Sequence, residues 1–184
     1  TKVDTSSKLA KSVDLKVKKD GTVSFKDDLG NVVTVKDPQR VVACMGSFAN
    51  VWELAGGKLT AATDDAYENY GVDSSKVASV GRSTSLSLES IMGQNPDFVI
   101  ATGLSDGKHS TGVSQSDLKS ALDASSIPSA FFKVTSFDDY LRMLRICTAI
   151  TGREDLFQSN GLDIQTQIKQ VVKKYDVSKK APRV

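Results

Sequence analysis

Polar side chains that could bind a small molecule lie in three loops, each of which follows an apolar run of strand length. Ser47 follows "RVVAC", next to the thioether of Met45, Arg82 and Ser83 lie in "GRSTS" after "VASV", and His109 lies in "GLSDGKHSTG" after "DFVIA". A guanidinium can pair with both oxygens of a carboxylate or a similar anionic group, which the ammonium of lysine does less well. These residue types favour recognition of a ligand with an anionic group. The alternatives are an ordinary surface arginine and a solvated loop histidine.

Aromatic and thioether side chains near these loops add candidate contacts to a flat or apolar ligand. Tyr67 and Tyr70 lie in "DDAYENYG", interpreted as a polar loop, from which they could contact an aromatic ligand or attach the loop to the protein body. Phe48, in the first turn of a helix, could line the mouth of a cleft, although its spacing with Trp52 also fits the core. Met45 could ligate the iron of a haem or pack against its neighbours. The candidate ligand contacts are thus Met45, Ser47, Phe48, Tyr67, Tyr70, Arg82, Ser83 and His109.

Motifs for catalysis, metal binding and nucleotide binding do not occur in the sequence. His109 is the only histidine, which excludes a His-rich metal site and makes any Ser-His-Asp triad depend on one residue. There is no G-x-S-x-G motif, and no glycine-rich phosphate-binding motif follows the first buried strand. Cys44 and Cys147 lie in apolar segments without metal or redox spacing, so we expect buried free thiols. We therefore predict no catalytic residue, no metal site and no cofactor, with an α/β enzyme of unknown activity as an alternative.

The composition is that of an ordinary globular protein. The 184 residues carry a formal net charge of +2, which gives no electrostatic reason to predict binding to nucleic acid or to a membrane surface. No apolar run approaches the roughly 20 residues that would cross a bilayer. The opening "TKVDTSSKLAKSVDLK" is rich in Ser, Lys and Thr, which predicts a flexible tether over residues 1–20 or, alternatively, an exposed first strand.

The apolar periodicity predicts an α/β domain. "GTVSFKDDLGNVVTVKD" alternates apolar and polar residues on both sides of "DDLGN", which predicts a β-hairpin. "RVVACM", "LTAAT", "VASVG", "DFVIATG" and "SAFFKV" predict strands with helices between most of them, and thus a mostly parallel sheet with helices on both faces. A long helix should follow from Arg153 to about Tyr175. The expected helix caps are Ser47, Ser87, Ser114, and Thr135 or Ser136.

Three segments resemble, in order and spacing, the N-terminal lobe of the substrate-binding proteins of ABC importers for iron-siderophores, haem and cobalamin. They are "DPQRVVACMGSFANVWELAGGKLTAATDD", "KVASVGRSTSLSLESIMGQNPDFVIA" and "FFKVTSFDDYLRMLRICTAITGRED". The pattern comprises P-x-R-V-V, a V-G loop, an L-E-x-I helix, x-P-D-x-V and a turn similar to I-T-G-R-E. The matching residues are Pro38, Arg40, Val41, Val42, Gly81, Leu88, Glu89, Ile91, Pro96, Asp97, Val99, Thr151, Gly152, Arg153 and Glu154.

This resemblance implies a protein of two lobes joined by one rigid helix, with the ligand in the cleft between them. Residues 21–152 would form the N-terminal lobe, residues 153–176 the connector helix, and residues 177–184 the start of a missing second lobe. Arg82 matches the arginine before the L-E-x-I helix that contacts the ligand in siderophore binders. Glu53 and Glu68 are possible docking positions for arginines of the transporter.

The resemblance also implies transport rather than catalysis. The expected ligand is an iron-siderophore, haem or a cobalamin-like molecule, and the expected partners are an ABC permease and its ATPase. The expected location is extracytoplasmic, in the periplasm or as a cell-surface lipoprotein whose lipid anchor lies upstream of Thr1. The alternative function without catalysis is an interaction or oligomerisation module that uses the long helix.

Overall fold

The computed structural model describes residues 3–104 and 115–180. Three predictions concern residues outside this part of the chain. They are the candidate ligand contact His109, the helix cap at Ser114, and the last residues of the segment 177–184.

The described chain begins with a small antiparallel sheet. Helix α1 (Lys8–Ser12) precedes β1 (Lys16–Val17), β2 (Val23–Lys26) and β3 (Val32–Val35), which pair in the order β1-β2-β3. Alternate residues of β2 and β3 are buried, and Lys26 lies opposite Val32 across the turn. The alternating pattern around "DDLGN" therefore correctly predicts the hairpin.

The main sheet is parallel, with the strand order β6-β5-β4-β7-β8. Its strands are β4 (Val41–Ala43), β5 (Ala61–Ala62), β6 (Ala78–Ser79), β7 (Phe98–Thr102) and β8 (Ser129–Phe132). All of β4 is buried, because this central strand is covered on both faces. The chain builds outward from β4 in one direction and then in the other, so the crevice beside β4 is a topological switch point.

Helices cover both faces of this sheet, as predicted. Helices α2 (Gly46–Leu54) and α6 (Phe137–Thr151) pack on one face, and α4 (Leu88–Gly93) and α5 (Gln115–Ala124) pack on the other. A shorter helix, α3 (Asp65–Tyr70), follows β5. The predicted helix starts at Ser87 and Ser136 are confirmed, since each hydroxyl accepts a hydrogen bond from a first-turn amide.

The prediction that Ser47 caps α2 is wrong. The helix begins at Gly46, and its N-cap Met45 offers no side-chain acceptor. A carboxylate from another element takes that role, because Oδ2 of Asp65 accepts the Gly46 N–H at 2.8 Å. A sequence-local cap rule cannot anticipate an acceptor that lies 19 residues away.

The N-terminal residues also differ from the prediction. Residues 8–17 form α1 and β1 instead of a flexible tether, with Ala10, Val13 and Leu15 buried in the core. The Lys26 N–H donates to the Val13 carbonyl at 2.6 Å, and β1 pairs with β2. Three apolar side chains and these backbone hydrogen bonds offset the ordering entropy of a segment that is otherwise polar.

A long helical run ends the described chain. Helix α7 (Glu154–Phe157) continues into a π-helical turn (Gln158–Leu162) and then into α8 (Asp163–Lys180). The predicted long helix is therefore present and extends four residues beyond position 176. Within the described residues, no helix is both long and apolar enough to cross a membrane.

Candidate functional site

The loops that follow the parallel strands meet at one edge of the sheet. The Thr63 N–H, directly after β5, donates to the carbonyl of Ala43, the last residue of β4, at 3.2 Å. The loops after β5 and β6 are joined by the Asp64 N–H, which donates to the Gly81 carbonyl at 2.9 Å. The strand ends at β4, β5 and β6 are thus held side by side. We call this part of the molecule the carboxyl edge.

Arg82 lies in an open pocket of about 270 Å³ at the β6 end of the carboxyl edge. Gly81 has a φ of +91°, and its N–H donates to the Ser79 hydroxyl at 3.1 Å, so the chain turns sharply just before the arginine. The Arg82 side chain is exposed, and no described carboxylate forms an ion pair with it. The pocket is lined by Asp64, Asp65, Glu68, Arg82, Ser83 and Thr84.

Two of the three carboxylates in this pocket stabilise the loops themselves. Asp65 accepts the Gly46 N–H and, at 2.5 Å, the Thr63 hydroxyl, while Asp64 accepts the Ser79 hydroxyl at 2.5 Å. Glu68 is exposed. Asp64 and Asp65 are not among the predicted ligand contacts, although two adjacent carboxylates shortly after a buried strand are a sequence pattern that indicates a site at the sheet edge. The pocket therefore combines one positive with three negative side chains.

The two tyrosines predicted as ligand contacts, Tyr67 and Tyr70, lie on a helix. The "DDAYENY" segment is helix α3 and not a loop, and the Tyr67 hydroxyl donates to the Val77 carbonyl at 2.8 Å. Burial, with a further effect of the Asp64 charge, raises the pKa of Tyr67. Tyr67 thus attaches α3 to the chain before β6, which was the alternative considered for it. Tyr70 is exposed and available.

Phe48 does not lie at the mouth of a cleft. Its side chain is 3% exposed and packs edge-on against Phe132, with ring centroids 6.2 Å apart. Phe48 and Trp52 belong to one core cluster, as their helical spacing indicated. Met45 is half-buried and packs against the same cluster, and Ser47 is half-buried in the first turn of α2. Of the candidates in the described chain, the pocket brings together only Arg82 and Ser83.

A larger cavity of about 510 Å³ lies at the β8 end of the carboxyl edge, under the hairpin turn. Its charged residues are largely paired with one another. Nη2 of Arg142 lies 3.1 Å from Oδ1 of Asp28 and 3.0 Å from Oδ1 of Asp139, and the Lys133 N–H donates to Asp28 at 2.6 Å. These pairs attach the hairpin turn to the loop after β8. The sequence analysis did not find this cavity, because its walls come from four separate segments of the chain.

Neither cysteine is available as a nucleophile or a ligand. Cys44 and Cys147 are free and buried, as predicted. Burial raises the pKa of Cys44 to about 12, and it also raises the pKa of Cys147. Among the described residues, no group of three or more His, Cys, Asp or Glu side chains could hold a metal ion.

Comparison with known proteins identifies both a family and a fold. The sequence profile of the family described as "Periplasmic binding protein" matches residues 41–184. No curated protein matches the chain. Solved structures with the same fold include the periplasmic catecholate-siderophore binding protein VctP from Vibrio cholerae, at 20% sequence identity and a TM-score of 0.63. That match covers 86% of this chain and 55% of VctP.

Two further solved structures give similar results. A periplasmic heme binding protein from Pseudomonas aeruginosa has 16% identity and a TM-score of 0.63, with 78% of this chain and 49% of that chain covered. The petrobactin-binding protein YclQ from Bacillus subtilis has 19% identity and a TM-score of 0.62, with 82% and 52% covered. The chain thus spans about half the length of the solved structures that it matches. At these identities the likeness concerns the fold.

Proposed function

Because the chain belongs to the periplasmic binding protein family, we propose that it is the N-terminal lobe of a substrate-binding protein that delivers a ligand to an ABC importer. We propose an iron-siderophore, haem or a cobalamin-like molecule as the ligand. The solved structures of the same fold include proteins named as binders of a catecholate siderophore, of heme and of vitamin B12. The partners would be an ABC permease and its ATPase, outside the cytoplasm, with a lipid anchor upstream of the described chain.

The observation that carries this proposal is the position of Arg82. An exposed guanidinium lies at the carboxyl edge of a parallel sheet, in a pocket open to solvent, and forms no ion pair with the described carboxylates. Open α/β sheets bind ligands at this edge. Arg82 would pair with an anionic group of the ligand, and Ser83 in the same pocket would supply a hydroxyl.

The surroundings of Arg82 limit how it could attract that group. Asp64, Asp65 and Glu68 line the same pocket, so their charges outnumber that of the guanidinium. At distances longer than direct contact, the pocket would therefore not attract an anion. Recognition would instead depend on short, oriented hydrogen bonds from the planar guanidinium, the geometry in which arginine differs most from lysine.

The long helix supports the proposal of a second lobe. Three of its apolar side chains are exposed in the described chain at the helical spacing i, i+3 and i+4: Ile168, Val171 and Val172. A stripe of this kind normally packs against another element. We propose that the helix connects the lobe to a second one, and that residues of both lobes would enclose the ligand.

Thermal unfolding with candidate ligands tests the function. The protein is prepared with its proposed second lobe and heated with a ferric catecholate siderophore, a ferric hydroxamate siderophore, haem or cobalamin. A ligand that binds only the folded state, present at about 100 times its Kd, stabilises that state by about 2.7 kcal/mol, which should raise the melting temperature. The iron-free siderophores are matched controls. If none of the four ligands shifts the melting temperature, the proposed ligand class is wrong.

A further inference from the structure

Three separate segments meet around the buried side chain of Arg145, far along the chain from Arg82. Arg145 lies on α6 and is 2% exposed. Its Nη2 donates to the carbonyl of Asp4, and the same atom lies 3.6 Å from Oε1 of Glu154 at the start of α7. The guanidinium also lies over the ring of Phe157, 5.2 Å from its centroid. A buried charge is costly without such partners, so each contact matters to the others.

The N-terminal segment completes this cluster through its backbone. The Asp4 N–H donates to the same Glu154 Oε1 at 3.2 Å, so residue 4 contacts both members of the ion pair. The Asp4 carboxylate is engaged elsewhere, since it accepts hydrogen bonds from the Ser6 N–H at 2.8 Å and the Ser6 hydroxyl at 2.6 Å. Val3 packs against the core, and Ser7 caps α1. We call residues 3–7 the N-terminal strap.

Glu154 and Phe157 form the first turn of the long helical run, which we call the helix root. A second set of contacts holds the next turn: the Asn160 side chain donates to the Leu54 carbonyl at 2.9 Å, and the Tyr140 hydroxyl donates to the Asn160 carbonyl at 2.7 Å. Asn160 lies in the π-helical turn, a feature that often marks functional positions. The helix root is therefore held on one side by the lobe and on the other by the N-terminal strap.

The Arg145 guanidinium would have few hydrogen-bond partners if the N-terminal strap moved away. Its Nη1 is buried and has no hydrogen-bond partner among the described residues. Loss of the Asp4 carbonyl would leave Nη2 with its 3.6 Å ion pair to Glu154, while Glu154 would lose the Asp4 N–H. Two members of a buried cluster would then lose partners in one step.

We propose that the N-terminal strap is a latch on the helix root: in place, it fixes α7 to α6 through Arg145 and Glu154, and displaced, it frees the start of the long helix to move. The latch would couple the chain that precedes the lobe to the helix that leaves it. This proposal does not depend on the ligand or on the proposed function. Both hydrogen bonds of the latch use backbone atoms of residue 4, and the Asp4 carboxylate adds a favourable charge interaction with Arg145.

Hydrogen exchange measured by mass spectrometry on the 184-residue chain tests the latch. Deletion of residues 1–5 should raise exchange in peptides covering 154–162 by about tenfold or more, as expected when a charged hydrogen bond is lost. Peptides covering α4 should exchange at the wild-type rate. Thr5→Ala is the matched control, because it truncates an exposed side chain of the strap, keeps both backbone contacts of residue 4 and should leave the helix root at its wild-type rate.

A second pair of variants separates a latch from general destabilisation. In an Arg145→Met background, the same deletion should add little to the exchange at 154–162, because the partner of the Asp4 carbonyl is already gone. Unchanged exchange at 154–162 after the deletion would overturn the proposal, as would an equal rise in the α4 peptides. If Arg145→Met does not fold, the deletion and Thr5→Ala still decide between these outcomes.

Discussion

At the scale of single residues, the carboxyl edge shows which side chains a sequence pattern can position. Arg82 follows a strand and a glycine, and both features place it in a loop at the end of β6, where the structure has it. The roles of Tyr67 and Asp65 depend on partners outside their own segments, the carbonyl of Val77 and the N–H of Gly46. Local pattern predicts the loop that carries Arg82 but not the helix that carries Tyr67. The hydrogen-bond partners of Tyr67 and Asp65 follow from tertiary packing.

Arg82 gives the prediction at this scale. In the two-lobed protein, Arg82→Ala should weaken binding of the ligand by about 1.5 to 3 kcal/mol, because a charged hydrogen bond is lost. Arg82→Lys should restore only part of that loss, since an ammonium cannot form the bidentate pair. Isothermal titration calorimetry gives the Kd of each variant.

The control for Arg82 is an arginine of similar exposure at a different place in the fold. Arg153 follows the end of α6 and is paired with Asp155 at 3.0 Å, half-exposed to solvent. Arg153→Ala should leave the Kd unchanged. If Arg82→Ala also leaves it unchanged, Arg82 is an ordinary surface residue and the proposed contact is wrong.

At the scale of elements, the sequence predicts those whose apolar pattern is complete within a few residues. The hairpin and the buried β4 follow from alternation and from a continuous apolar run. Helix α1 has five residues, too few to show a repeated apolar period, and it packs against α6. Short elements of this kind depend on tertiary packing, and the N-terminal strap belongs with them.

The hairpin turn also covers the free edge of β8, through Asp27. This carboxylate is 5% exposed and accepts the N–H groups of Leu29 at 3.1 Å, Asn31 at 2.8 Å and Phe131 at 3.1 Å. Asp27→Ala should lower the free energy of unfolding by about 2 to 3 kcal/mol, because three amides lose their acceptor and that of Phe131 is buried. Urea denaturation of the 184-residue chain measures this change.

A second turn aspartate serves as the control for Asp27. Asp20 accepts the Thr22 N–H at 2.9 Å in the turn between β1 and β2, but its side chain is exposed to solvent. Water can replace the lost acceptor there, so Asp20→Ala should cost under about 1 kcal/mol. Equal losses in the two variants would show that Asp27 does not attach the hairpin to the sheet.

At the scale of the whole molecule, the described chain combines a well-covered core with two exposed regions, the carboxyl edge and the apolar side chains of α8. Both faces of the main sheet are covered, and each has its own cluster of buried side chains. The carboxyl edge is open, and apolar side chains of α8 are exposed within the described residues, with Val171 66% and Val172 52% exposed. The alternation of strands and helices predicts that both faces of the sheet are covered. A second lobe against α8 could be inferred only from the family resemblance, because a periodic apolar stripe does not specify what packs on it.

The open carboxyl edge leads to the last prediction, a difference in affinity between one lobe and two. Small-molecule sites usually enclose most of their ligand, and here only one wall of the proposed cleft is present. The 184-residue chain should therefore bind the ligand about 100-fold or more weakly than the two-lobed protein, equivalent to about 2.7 kcal/mol. Calorimetric titrations of both proteins with the same ferric siderophore, haem or cobalamin measure the ratio, and circular dichroism verifies that the isolated lobe is folded.

Equal affinities would place the whole site on this lobe and refute the shared cleft. A large ratio combined with an effect of Arg82→Ala in the two-lobed protein would mean that both walls hold the ligand, with Arg82 as the contribution of this lobe.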